Sequence, residues 1–250
     1  MLDFPVDGAA RKLLYGLLIL WAALLAGGLL LGKPDAGRRN RLSLPVRMAL
    51  SVTLLAAALV WWQAGTANTA LARFGLWIAV GMAFGLLGDV FMAGLIVPKP
   101  RHVIFGILAF GAGHVFYLLA FRQAAAVLGL NSGPVWLWSW VIYLAVAALL
   151  WTLLVREPAR GPALNYGTLG YSLLLAGMAG AAAALAIQDA VFIPLAAGGM
   201  LFMASDLILG SELMRRTHFP FIGDIIWTTY TAAQLLIVFS SAAALQVLLR

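Results

Sequence analysis

The chain has 250 residues, of which 64% are hydrophobic and only 10% are charged. Soluble domains are about half apolar and a quarter charged, so this composition excludes an ordinary soluble protein and indicates a single integral membrane domain over residues 1–250. Cysteine is absent, which excludes disulfides and thiolate metal sites. The net charge of +7 comes from bases in short segments between apolar runs, which is typical of membrane orientation rather than nucleic-acid binding.

Eight apolar runs each approach the ~20 residues that a helix needs to cross a bilayer. Proline, glycine and asparagine separate them, and the break at Gln188-Asp189 is the weakest, since without it the chain has seven spans. The sequence therefore predicts an all-α, polytopic transmembrane helical bundle. Its expected helices cover roughly residues 12–32, 44–63, 71–96, 102–123, 135–155, 163–187, 190–213 and 224–248.

The distribution of lysine and arginine predicts the orientation. The segments after the first, third, fifth and seventh helices hold eleven bases, Lys99 among them, and the opposite side holds five. Cytoplasmic loops are enriched in bases, so we expect these four segments in the cytoplasm and both termini outside. The protein is then expected in the inner (plasma) membrane of a bacterium. Five tryptophans should form an aromatic belt at the outer face: Trp61, Trp62, Trp136, Trp138 and Trp140.

Two aspartates interrupt apolar helices. Asp89 lies in the third helix and Asp206 in the seventh, in similar contexts, GDVFMAG and SDLILG. A carboxylate in a spanning helix costs about 2.5–3.5 kcal/mol on insertion and usually marks a functional site. The echo suggests a parallel repeat of four plus four helices, and both aspartates lie roughly 12 Å from the cytoplasmic end. One cytoplasm-facing cavity is expected to hold them with the nearby polar residues His114, Tyr117, Ser205, Tyr230 and Gln234.

Other interpretations remain open at this stage. The aspartates also fit a polar clamp between helices, or the relay of a proton-coupled transporter or a lipid-binding protein. The polar side chains on the neighbouring helices also fit interhelical hydrogen bonds. The three histidines are spread over the chain without a His-x-x-x-His pair, so no metal site is expected. Glu212 and Asp224 are expected at a solvated cytoplasmic rim.

Four motifs resemble the lysoplasmalogenase (YhhN-like) family of integral membrane proteins. They are GLLGDVFM, FGAGHVFYLLAF, GGMLFMASDLILG and YTAAQLLI. The resemblance implies hydrolysis of the vinyl ether bond of a lysoplasmalogen to a fatty aldehyde and a glycerophospho-alcohol, with Asp89 and Asp206 as the essential acids. It implies no cofactor, and as partners a lysophospholipid substrate and membrane lipids. The family often has Lys-Pro where this chain has Leu44-Pro45, so a headgroup-binding role is expected to move to Arg47.

Overall fold

Within the described residues eight long helices form the fold, as the sequence predicts, and all eight are long and apolar enough to cross a membrane. The computed structural model describes residues 5–98 and 101–250, so Lys99 lies outside the described residues. Two helices end in a π-helical turn: α2 continues through Trp61–Thr66 and α5 through Trp151–Val155. The helices are α1 (Gly8–Leu31), α2 (Leu44–Val60), α3 (Ala72–Met92), α4 (His102–Leu128), α5 (Gly133–Leu150), α6 (Pro162–Gln188), α7 (Ile193–Arg215) and α8 (Ile222–Leu248).

The break between α6 and α7 is present, so the described residues form eight long helices rather than seven. The side chain of Asp189 accepts a hydrogen bond from the backbone N–H of Val191 at 3.0 Å. This bond caps a short 3₁₀ turn, Ala190–Phe192, from which α7 continues. An aspartate at such a cap satisfies an otherwise unpaired N–H at the start of a helix.

The helices pack with the same neighbour relations in both halves of the chain. α3 packs on α4 as α7 packs on α8, and α2 packs on α3 as α6 packs on α7. α1 lies on α2 as α5 lies on α6, and the halves meet where α2 contacts α8 and α6 contacts α4. This pattern is what a parallel repeat of α1–α4 and α5–α8 produces.

Glycines allow α3 and α4 to approach closely. A Cβ on Gly113 would lie 3.1 Å from the carbonyl oxygen of Gly81, and a Cβ on Gly81 would lie 2.5 Å from the ring of Tyr117. Small residues at such a contact let two helix backbones pack without lipid between them. The Tyr117 ring thereby reaches across α3 toward α8.

The five tryptophans of the expected outer belt differ in their exposure. Trp61 is fully buried and packs edge-on against Phe239, with ring centroids 6.0 Å apart. Trp136 is 4% exposed, and the guanidinium of Arg122 lies 4.4 Å from its ring, whereas Trp138 is 62% exposed. A tryptophan near a helix end packs inward or faces lipid depending on the side of the helix that it occupies. Its position along the chain does not show which side that is.

The loop between α1 and α2 is tied to α7 and α8 by two acids that the sequence placed at a solvated rim. Asp224 is 3% exposed and accepts hydrogen bonds from the backbone N–H groups of Arg41, at 2.8 Å, and Leu42, at 3.0 Å. Glu212 accepts two hydrogen bonds from the guanidinium of Arg39, at 2.6 and 2.7 Å. The expectation of solvated side chains is wrong because the loop folds back over both acids.

Candidate active site

Asp89 lies at one end of a buried chain of hydrogen bonds. It is 2% exposed, and its Oδ2 accepts hydrogen bonds from the hydroxyl of Ser51, at 2.5 Å, and the hydroxyl of Tyr230, at 3.0 Å. The amide of Gln234 donates to the Tyr230 oxygen at 3.3 Å, and its carbonyl accepts from the Tyr117 hydroxyl at 2.6 Å. The network therefore joins α2, α3, α4 and α8 through buried polar groups that serve as one another's hydrogen-bond partners.

Asp206 belongs to a second network. The Tyr171 hydroxyl donates to its Oδ2, and the same hydroxyl lies 3.1 Å from Nε2 of His114. Because the Tyr171 proton points to Asp206, Nε2 of His114 is the donor in that contact and Nδ1 is the unprotonated nitrogen. Nδ1 is buried and has no hydrogen-bond partner among the described residues. The His114 ring packs edge-on against Phe202, with centroids 4.7 Å apart.

The two networks are equivalent under the repeat. Asp89 on α3 is held from α2 and α8, and Asp206 on α7 is held from α6 and α4. The helix positions correspond, but the donors differ: a serine and a tyrosine hold Asp89, whereas a tyrosine backed by a histidine holds Asp206.

Of the two aspartates, Asp206 is the one that lines the large cavity found among the described residues. The cavity has a volume of about 700 Å³ and lies among α4, α5, α6 and α7, with mostly apolar walls. Asp206 and Tyr171 line it, and Asp206 is half-buried. Asp89 does not line it. The ring of Phe110 lines the cavity and meets Tyr230 edge-on at 5.7 Å, and Tyr230 in turn donates to Asp89.

A base lies on the wall of this cavity. Arg160, in the short turn between α5 and α6, lines the cavity, and its guanidinium donates to the carbonyl oxygens of Met214, at 3.0 Å, and Leu213, at 3.1 Å. These carbonyls lie seven and eight residues beyond Asp206 on α7. At 1.5 Å per residue, Arg160 is therefore roughly 10–12 Å from Asp206 along the helix axis.

The sequence-predicted residues thus fall into separate places rather than around one cavity. Asp89, Tyr117, Tyr230 and Gln234 share the first network, and Asp206 and His114 share the second. No hydrogen bond joins the two carboxylates in the described part of the chain.

Two predicted residues have other surroundings. The Ser205 hydroxyl donates to the backbone carbonyl of Ile226 at 3.0 Å, so it fastens α7 to α8 and does not serve Asp206. Arg47 lines a different pocket, between α1 and α2, and not the Asp206 cavity. The first turn of α2 lies beside α1, and the Arg47 guanidinium also lies over the Trp227 ring of α8. A headgroup-binding role for Arg47 stays a prediction.

Sequence reasoning missed three residues of the site: Ser51, Tyr171 and Arg160. Ser51 and Tyr171 were detectable as hydroxyls inside apolar helices that precede the two aspartate helices. Arg160 was counted only as a cytoplasmic base. The described residues contain no group of three or more histidines and acids that is arranged to hold a metal ion.

The comparisons with known proteins agree with the motifs. The model of the YhhN family matches residues 42–241, which covers α2 to α7 and most of α8 and includes both aspartates and every donor to them. No curated protein and no solved structure matches the chain. The match extends over most of the chain, and the protein therefore belongs to the YhhN family.

Proposed function

We propose that the protein is a membrane hydrolase that cleaves the vinyl ether bond of a lysoplasmalogen-type lysolipid, giving a fatty aldehyde and a glycerophospho-alcohol. The observation that carries the proposal is Asp206, a carboxyl group on the wall of a mostly apolar cavity. Membership of the YhhN family supports the same activity. An acid within a lipid-sized apolar cavity is suited to a reaction that begins with proton transfer to carbon.

The shape of the cavity supports a substrate with one chain. Ile104 on α4 and Ile142 and Val146 on α5 line the cavity and are also exposed on the outer surface of the bundle. The cavity therefore opens sideways, and a lipid chain can enter from the bilayer. Arg160 takes the phosphate at the other end, because a guanidinium offers several donors to phosphate oxygens. Asp206 then lies beside the ether bond, between chain and phosphate.

The chemistry follows from this position. Asp206 in its protonated form gives its proton to the outer carbon of the vinyl ether, and the ether carbon becomes an oxocarbenium ion. The resulting carboxylate stabilises this cation and takes a proton from the water that adds to it. The hemiacetal then collapses, its oxygen–carbon bond breaks, and aldehyde and alcohol leave. General acid–base catalysis of this kind typically contributes about 10²–10⁴-fold.

The other polar groups position Asp206 and its surroundings. The Tyr171 hydroxyl fixes Oδ2 of Asp206, and His114 fixes the Tyr171 hydroxyl in turn. Asp89 acts indirectly: it holds Tyr230, whose ring packs on Phe110 at the cavity wall. α3 and α7 run as continuous helices past their aspartates. Transporter sites are usually built on broken helices, so this continuity favours a fixed catalytic site.

The test is aldehyde release from a lysoplasmalogen by purified protein in detergent. We expect activity in the wild type and a loss of about 10²–10⁴-fold in kcat for Asp206→Asn, which keeps the shape but cannot give up a proton. Asp189→Asn is the matched control, because that carboxylate caps the turn before α7, on another side of the fold.

Two results would contradict the proposal. One is a wild-type protein that is folded and monodisperse but releases no aldehyde. The other is an Asp206→Asn variant that retains the turnover of Asp189→Asn, since Asp206 would then not take part in the proton transfers.

A further inference from the structure

A second pocket, separate from the Asp206 cavity, lies between α1 and α2. Its volume is about 680 Å³, and the two sets of lining residues share no member. The walls are apolar and include Leu24, Leu31 and Val46. The bases of the lining are Lys33, Arg41 and Arg47. This pocket combines a hydrocarbon wall with a basic rim, on the side of the bundle where the sequence concentrates its bases.

The acids near this pocket already form hydrogen bonds and an ion pair with residues of the loop between α1 and α2. Asp35 is the one acid in the lining, and it accepts hydrogen bonds from the backbone N–H of Arg39, at 2.6 Å, and from the backbone and side-chain amides of Asn40, at 3.2 and 3.1 Å. The Asn40 amide lowers the pKa of the Asp35 carboxyl, so it stays ionised and engaged with its own loop at neutral pH. Arg41 is paired with Asp224 at 3.2 Å.

Two bases of the lining remain outside these ion pairs. Within residues 5–98 and 101–250, neither Lys33 nor Arg47 forms a salt bridge with a carboxylate. The guanidinium of Arg47 lies 5.3 Å from the ring centre of Trp227, and its Nε is buried without a hydrogen-bond partner among the described residues. A buried donor of this kind carries a desolvation cost until an acceptor binds. An anion at the pocket would provide that acceptor.

We propose that this pocket binds the headgroup of an anionic phospholipid, with its phosphate at Arg47 and Lys33 and an acyl chain along the α1–α2 wall. Free phosphate shares the headgroup chemistry, but it would leave the apolar wall unused. Leu31, on that wall, is 85% exposed, so the pocket is open to lipid. Bases near the cytoplasmic surface attract anionic lipids, which adds to the local recognition.

The family match does not include most of this pocket. The matched range begins at residue 42, whereas α1 and most of the loop precede it. The pocket is therefore assigned by its own charges and walls. It is also independent of the proposed reaction, since binding at this pocket is measured without turnover.

The experiment counts lipids bound to the detergent-purified protein by native mass spectrometry. Phosphatidylglycerol is titrated against phosphatidylcholine, which has the same tails and no net charge. We expect the wild type to bind phosphatidylglycerol at least about tenfold more tightly. Removing a base should weaken this binding roughly fivefold, so the double variant Lys33→Gln/Arg47→Gln should lose about 25-fold.

Matched variants separate charge from folding. Arg47→Lys keeps the charge and should retain most of the preference for phosphatidylglycerol, and Lys12→Gln, an exposed base near the other end of α1, should retain all of it. Lys33 is itself exposed, so Lys33→Gln alone reports on binding without disturbing the core.

Several results would overturn the proposal. Equal affinity for the two lipids would show that the pocket does not recognise an anionic headgroup. An unchanged preference for phosphatidylglycerol in the double variant would show that Lys33 and Arg47 do not bind it. Displacement of phosphatidylglycerol by millimolar inorganic phosphate would identify free phosphate as the ligand. If Arg160→Gln abolishes the preference and the double variant does not, the lipid binds in the Asp206 cavity instead.

Discussion

The hydroxyl of Tyr171 offers the sharpest test of how the site holds Asp206. Tyr171→Phe keeps the ring, which lies 5.5 Å from the His114 ring centre, and removes only the O–H that donates to Asp206. A hydrogen bond to a charged group contributes about 1.5–3 kcal/mol. If that bond orients Asp206 in the transition state, its loss lowers kcat about 10- to 150-fold.

The same substitution should leave KM within a factor of a few, because the apolar cavity wall is preserved. It also leaves Nε2 of His114 without its partner, and an unsatisfied buried donor costs about 1–3 kcal/mol. A lower thermal midpoint is therefore expected together with the lower kcat. Aldehyde release, coupled to an aldehyde dehydrogenase and followed by NADH fluorescence, gives both kinetic constants.

Tyr143→Phe is the matched control for this variant. Tyr143 lines the same cavity, and its hydroxyl makes no hydrogen bond within the described residues. We expect near-normal kcat for Tyr143→Phe. A Tyr171→Phe enzyme with kcat within threefold of the control would refute the reasoning, since the bond to Asp206 would then have no part in the rate.

Further predictions concern the cavity end, the buried network and the helix contact. Arg160→Gln should raise KM for a phosphate-bearing substrate and leave kcat nearly unchanged, as loss of uniform binding does in steady-state kinetics. The double variant Asp89→Asn/Asp206→Asn should be little slower than Asp206→Asn alone, because both groups act on one reaction path; multiplied losses in kcat would contradict this. Gly85→Ala places a Cβ 2.6 Å from a side-chain amide nitrogen of α8 and should destabilise by about 1–3 kcal/mol in thermal unfolding. A Cβ at Gly177 would have no neighbouring atom within 4 Å, so Gly177→Ala should not lower the stability.

The fold was accessible to sequence reasoning because the membrane imposes strong local rules. A span needs about twenty apolar residues, and its ends need polar or helix-breaking residues, so composition alone located eight helices. Even the weakest break, at Asp189, had a local signal, since an aspartate followed by a short turn is a common helix start. These features depend on neighbours in the chain and not on the arrangement of the helices.

Which residues belong to the site was harder to predict from the sequence, because this depends on how each helix is rotated about its axis. The rise of 1.5 Å per residue gives the depth of Asp89 and Asp206, but it does not give the direction in which either side chain points. Ser205 is an example. It precedes Asp206 in the chain, yet its side chain lies on another side of α7 and donates a hydrogen bond to a backbone carbonyl of α8. Arg47 likewise lines the pocket between α1 and α2 and not the Asp206 cavity, which its position along the chain does not reveal.

The repeat explains why a catalytic and a clamp interpretation of the aspartates both arose. Each aspartate network crosses between the halves of the chain: Asp89 on α3 reaches Tyr230 on α8, and Asp206 on α7 reaches His114 on α4 through Tyr171. Both networks therefore hold the halves together, as a clamp requires. Only Asp206 also faces a cavity, so only its substitution should abolish proton transfer while the bundle stays assembled. Asp89→Asn should instead lower thermal stability and kcat together at an unchanged KM, because its carboxylate contacts helices and not the cavity.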